Sequence, residues 1–267
     1  MKINSWQQLP DDFCFNYTQE DLAAVWDRLH AGDQYTYPLE LTDEYDQSLL
    51  NSQALAWLHY HNGAYQKAAE LGLELQQHGA VVLAKSVAAY CDYLCEDEDE
   101  VLELLASAIE VCESAAQELP DCANAQFVNA LLMGRYSQRI SITKALSQGL
   151  GGKIKKYLEK TLELEPNHAE AHTAMGLYHA EIIDKIGAMI GGITYGAKRP
   201  VAMQHFEKSL ELTPDAPITS IEFANGLFLL AGDEDRATEL YQQASECEAL
   251  DALQNCDVNF AQEQFEE

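Results

Sequence analysis

One spacing recurs along the chain and constrains its fold more than any other feature. HTAMGLYH places the large–small pair Met175–Gly176 midway between His172 and His179. AMQHFEKSLELTP then places Ala202, Phe206, Ser209 and Pro214 at helical steps. Small residues such as Gly176, Ala202 and Ser209 let two antiparallel helices approach closely, and Met175 and Phe206 fill the space around the contact. The skeleton returns in SIEFANGL (Ser220, Phe223, Ala224, Leu227) with Ala237, Tyr241 and Ala244, and in ALLMGRYS (Ala130, Met133, Gly134, Ser137). It returns again in GKIKKYLEKTLELEP and in SQALAWLH with GAYQKAAELGLEL. A hairpin over 80–118 carries Ala108, Cys112, Ala115 and Pro120, with a first helix that matches poorly. Helix pairs in series cannot bury their apolar faces singly, so they stack.

Periodicity agrees with helices throughout. Leu55, Leu58, Ala68, Ala69, Leu71 and Leu75 recur at three- and four-residue steps, and no segment alternates strictly. Pro120, Pro166 and Pro214 each follow a helical run and precede Asp or Asn, which are good N-caps. These signals predict an all-α, TPR-like (tetratricopeptide) α-solenoid of about five hairpins. Ten to twelve helices are expected in four parts. Residues 1–46 form a flanking segment with a helix at about 20–30, and 47–120 form degenerate hairpins. Residues 121–248 form hairpins with extended first helices, and 249–267 a C-terminal helix with an acidic tail.

A second internal symmetry is more specific. Residues 133–171 resemble 175–217: both pair a lengthened first helix with a Gly-rich joint bearing Lys or Arg. The stretches LGGKIKKYLEKTLELEPNHAEAHTAMGLYHAEIIDKIGAMIGGITYGAK and IEFANGLFLLAGDEDRATELYQQASECEALDAL resemble TPR proteins of proteobacteria that are themselves mostly uncharacterised. More distantly they resemble the T component associated with TRAP transporters and the regulator of microtubule dynamics family, which also lengthen the first helices of TPR hairpins. The likeness spans about 121–256. It implies the TPR-type helical fold, and the concave face of an α-solenoid suits an extended peptide or helix.

Composition narrows the partners. The net charge is −28, from 16 Lys and Arg against 44 Asp and Glu, which opposes nucleic acid and anionic membranes. The start MKINSWQQLPDDFCFNY has no apolar core of a signal peptide, and IIDKIGAMIGGITYGA is too short and too polar to span a bilayer. A cytoplasmic protein without membrane insertion is expected. The seven cysteines are irregularly spaced, which predicts reduced, buried thiols.

No catalytic motif emerges, so no enzyme activity, cofactor or metal is predicted. GLGGKIKK (149–156) looks like a phosphate loop, but Lys153 is followed by Ile154 where a P-loop has Ser or Thr. Gly149, Gly151 and Gly152 are read as ending one helix and allowing a reversal. His172 and His179 share a helix face with His168 near its start, without a motif to complete a metal site. Cys91 and Cys95 read as small buried apolar residues, and the acidic run at 96–100 as a helix N-terminus.

Charge is distributed unevenly. Residues 135–208 hold eleven of the basic residues against seven acidic ones. Either these cations pair within the molecule, or they make a surface for an acidic peptide or a small anionic ligand. Two Gly-rich joints concentrate them, so Lys153, Lys155, Lys156, Lys185, Lys198 and Arg199 are the candidate binding residues. The expected partner is a protein or peptide.

Overall fold

The computed structural model describes residues 1–40 and 46–264. The expected acidic tail therefore lies partly outside the described residues, at 265–267. Among the described residues there are fourteen α-helices and no strand. The chain divides into two compact units, the first made of Met1–His30, Gln34–Arg139 and Leu250–Leu253, the second of Ala31–Asp33, Ile140–Ala249 and Gln254–Glu267.

The first unit holds α1 (Gln19–Leu29), α2 (Gln47–His61), α3 (Tyr65–Glu74), α4 (Ala80–Tyr93), α5 (Glu98–Glu118) and α6 (Ala123–Gln138). Here α2 packs on α3, α3 on α4, and α4 on both α5 and α6. This succession is the repeat-like packing of an α-solenoid. Thr18 and Asp21 form a reciprocal capping box at α1. Asp97 opens α5 by accepting from the Asp99 and Glu100 amides, so the acidic run at 96–100 is a helix start.

Two details of this unit differ from the sequence reading. The buried side of α2 is Leu50, Ala54, Trp57, Tyr60 and His61, while Leu55 is 38% exposed. Bulky Trp57 sets the inward face, one step away from the leucine stripe. In α4 nearly every residue from Ala80 to Cys91 is buried. With neighbours on several sides, it has no polar face to give it a helical period, which is why it matched the repeat poorly.

The second unit holds α7 (Ile142–Ser147), α8 (Leu150–Leu164), α9 (Ala169–Ile186), α10 (Ala188–Tyr195), α11 (Arg199–Leu212), α12 (Pro217–Leu229) and α13 (Glu234–Ser245). The last helix, α14 (Ala252–Glu263), lies mostly in this unit. Helix α9 packs on α8, α10, α11 and α12, and α12 on α13. The lengthening of the two first helices takes the form of separate short helices, α7 after α6 and α10 after α9. Ser141 caps α7 through the Lys144 amide, and Gly187, with φ of 80°, separates α9 from α10.

The core of this unit is built on the predicted small–large contact. Phe206 of α11 lies between Gly176 of α9 and Gly226 of α12 and stacks on Phe223 with centroids 5.0 Å apart. Ser209 donates to the Ala169 carbonyl at 2.9 Å, so the small position is also a polar tie between α9 and α11. The Pro–Asp and Pro–Asn pairs mark helix starts, but the N-caps fall one residue later, at Cys122, His168 and Ala216. Of these, His168 makes a side-chain cap, its Nδ1 accepting from the Ala171 amide at 3.1 Å.

Candidate functional site

The two Gly-rich joints both lie in the second unit and they do meet. Gly149 is left-handed, with φ of 65°, and turns α7 into α8. Gly151 and Gly152 belong to the first turn of α8, not to the end of a preceding helix. Gly151 is small for a packing reason, since a Cβ there would stand 3.0 Å from the Tyr195 ring at the end of α10. Beside this contact Lys155 Nζ donates to the Tyr195 carbonyl at 3.2 Å, and Gly196, with φ of 70°, turns the chain toward Lys198.

The candidate cations separate into groups. Lys155 and Lys198 both lie close enough to His179 to disfavour its protonation, and the Lys198 amide donates to His179 Nδ1 at 3.4 Å. Lys153, Lys156 and Lys198 are exposed. Lys185 pairs with Glu181 at 3.0 Å. Arg199 turns elsewhere, donating to the Leu230 carbonyl at 2.9 Å, where it meets the C-terminal end of α12. Further along the basic stretch, Arg135 and Arg139 of the first unit both pair with Asp92. Part of the basic segment is thus paired internally, and the joint takes part in this, since Lys155 also pairs with Glu159 at 3.8 Å.

The helix α10, whose last residue Tyr195 meets α8, carries exposed apolar side chains. In α10, Met189, Ile190 and Ile193 are 76%, 54% and 83% exposed, while Gly191 on the opposite side packs against Ile182 of α9. The preceding insert, α7, likewise leaves Ile142 and Leu146 exposed. An isolated exposed leucine needs no explanation, but three large apolar side chains on one eight-residue helix do.

The histidines are structural. His172 donates through Nε2 to the Pro166 carbonyl, 3.1 Å away, which leaves its Nδ1 to accept from His205 Nδ1 at 2.8 Å. His179 does not pair with His172. No group of three or more His, Cys, Asp or Glu residues suited to a metal occurs among the described residues. Cys91 and Cys95 are free thiols whose ionisation is pushed up, mainly by burial, so neither is a ready thiolate ligand.

This histidine strip makes stability acid-sensitive. Burial first, and then the positive charges of Lys155 and Lys198, lower the His179 pKa to about 4. Burial, and then His172 and His179, lower that of His205 to about 4. The unfolded-state value is about 6.5. Because the folded values are depressed, the stabilisation is complete above about pH 6.5 and is lost as pH falls toward 4. Thermal melts from pH 7.5 to 5 should show Tm falling by roughly 5 °C or more. His205→Gln should flatten that fall, and a Tm constant over this range would refute the account.

The first unit contains a second cluster that sequence reasoning missed. His61 Nδ1 lies 2.7 Å from Asp251 Oδ2, and His30 Nε2 lies 3.2 Å from His61 Nε2, with all three side chains buried. The carboxylate can only accept, so His61 carries its proton on Nδ1, and its Nε2 accepts from His30. Burial outweighs the Asp251 carboxylate and lowers the His61 pKa, keeping the imidazole neutral. Trp26 stacks on His30 with centroids 3.9 Å apart, and the Trp57 ring lies 5.6 Å from that of His61 with the planes inclined by 23°. The three side chains are buried, and their hydrogen bonds tie the end of α1, α2 and the 250–253 segment together. A signal was available: Trp26–His30 and Trp57–His61 are both Trp-x-x-x-His, one helical turn apart. Asp251, 190 residues from His61, had none.

The chain matches the family model described as "Regulator of microtubule dynamics protein 1-3" over residues 43–257. The match spans most of the sequence, including α2 to α13. The chain belongs to the regulator of microtubule dynamics family. Among curated proteins none matches. No helix among the described residues is long and apolar enough to cross a membrane.

Proposed function

We propose that this member of the family is a non-catalytic, cytoplasmic binding scaffold of tetratricopeptide type. Its partner is a protein that presents an acidic segment with apolar side chains. The observation that carries the reading is the contact of the two joints at Tyr195, where α10, which exposes Met189, Ile190 and Ile193, meets α8, which exposes Lys153 and Lys156. An apolar contact supplies affinity and the surrounding cations select for acidity in a chain that is otherwise strongly acidic. The family's description is a regulatory one, which suits partner binding better than turnover. A small anionic ligand at the same joints is the second reading, favoured by the convergence of Lys155 and Lys198 on His179.

The test compares tagged wild type with two variants. One changes Lys153, Lys155, Lys156, Lys198 and Arg199 to Gln, and the other is Ile193→Glu. Proteins and small molecules retained by each are identified by mass spectrometry. Both variants should stay folded and lose the same protein partner. A small molecule lost only from the charge variant would favour the second reading. A partner kept by both at unchanged affinity across salt concentrations would show the joint lysines and α10 to be a solvated face.

A further inference from the structure

The first nine residues of the chain are held as an extended ligand is held. Ile3, Trp6 and Leu9 are buried, each less than a tenth exposed, and the residues between them are exposed. The segment has no helix or strand of its own. It crosses successive helices at the edge of the first unit. Lys2 reaches Glu103 of α5 at 4.0 Å. Trp6 stacks flat on Tyr90 of α4, with centroids 4.2 Å apart and planes within 5°. The Trp6 amide donates to Gln66 Oε1 of α3 at 3.1 Å, and the Gln7 amide donates to the Tyr90 hydroxyl. Leu9 lies against Gly63, in the turn between α2 and α3, where a Cβ would come within 3.0 Å of it.

We infer that this edge of α3, α4 and α5 is a peptide-binding site that the chain fills with its own residues 1–9, and that an extended segment of a partner protein can take their place. Side chains of α3, α4 and α5 form the receptor. Two backbone amides and an exposed ion pair fix the segment, and apolar burial at every third residue with a central aromatic gives the specificity. Trp6 Nε1 is buried with no acceptor among the described residues. A buried unpaired donor weakens the tie. The segment therefore competes as a tethered ligand at high effective concentration, not as an optimised part of the core. The partner segment has apolar residues at positions i, i+3 and i+6, an aromatic residue in the middle, and polar residues between. This deepens the scaffold reading and rests on it for the existence of a partner, but it does not use the basic joints of the second unit.

The test removes residues 1–9 and adds back a fluorescein-labelled peptide with the sequence of residues 1–10. Saturable binding to the truncated chain is expected, with at least tenfold weaker binding to the full-length chain. The Trp6→Ala peptide should bind at least tenfold more weakly. An unrelated peptide that keeps the three apolar positions, with Phe in the centre and Ser or Gln between, should compete. The same residues respaced by two should not. A truncated chain that melts cooperatively and binds no peptide would overturn the inference, as would equal binding by the full-length chain. If the truncated chain does not fold, a protease site placed after Pro10 and cut in the folded full-length protein serves instead. The labelled peptide should then exchange with the severed segment, as read by native mass spectrometry, and a segment that never exchanges overturns the inference. Peptide binding should be unaffected by the five changes to Gln at the joints, so failure here is distinguishable from failure of the basic surface.

Discussion

Gly226→Leu is expected to cost about 3 kcal/mol or more, the upper range for forcing a large side chain into a packed interior. A Cβ at Gly226 would overlap the Phe206 ring, and one at Gly176 would stand 2.6 Å from Phe206 Cε1. The ring cannot retreat from one glycine without striking the other, and Phe223 closes a further side. Gly176→Leu should therefore behave the same way, and the pair should be strongly non-additive because both act on one ring. Gly134 of α6 is the control. A Cβ there meets nothing within 4 Å, so Gly134→Ala should be neutral or stabilising by up to about 1 kcal/mol through helix propensity. Urea unfolding followed by far-UV circular dichroism reads all three. An unchanged midpoint for Gly226→Leu would show that α9, α11 and α12 do not pack around Phe206.

Asp251→Ala is expected to destabilise the first unit by about 2–4 kcal/mol. It removes a hydrogen bond to a charged acceptor and leaves the His61 Nδ1–H buried without one. Asp251→Asn should cost less, because the amide oxygen still accepts. The three tryptophans all lie in the first unit, and Trp26 and Trp57 line the cluster, so tryptophan emission is the direct reading. If emission and midpoint of Asp251→Ala match the wild type, the buried chain of His30, His61 and Asp251 contributes nothing to holding residues 250–253 in place.

These two cores differ in how far they could be seen beforehand. The Gly176–Phe206 contact was legible because a hairpin repeats, with small and large positions recurring at fixed steps, although the equivalent Gly134 makes no such contact. Helix starts near Pro120, Pro166 and Pro214 were legible for a similarly local reason, since proline cannot sit in a helix interior. The register of α2 was not, because a leucine stripe and a tryptophan compete for the inward face. The choice depends on what lies opposite, here Trp26 of α1 and His30 just after it. The Gly-rich joint was seen, but not its purpose. Gly151 is explained by Tyr195, a residue of the other joint.

By itself the sequence determined an all-α chain of helical hairpins with two elaborated first helices, a segment of locally reversed charge, and the absence of any recognisable catalytic motif. Those properties follow from patterns contained within one hairpin or from counts. Tertiary structure alone decided which lysines are neutralised, that Met189, Ile190 and Ile193 face solvent, and that His61 meets Asp251. It also decided that Ile3, Trp6 and Leu9 lie across α3, α4 and α5. The physical reason is common to all four. Exposure, pairing and the receptor for an extended segment are relations between residues far apart in the chain, and no local period records them.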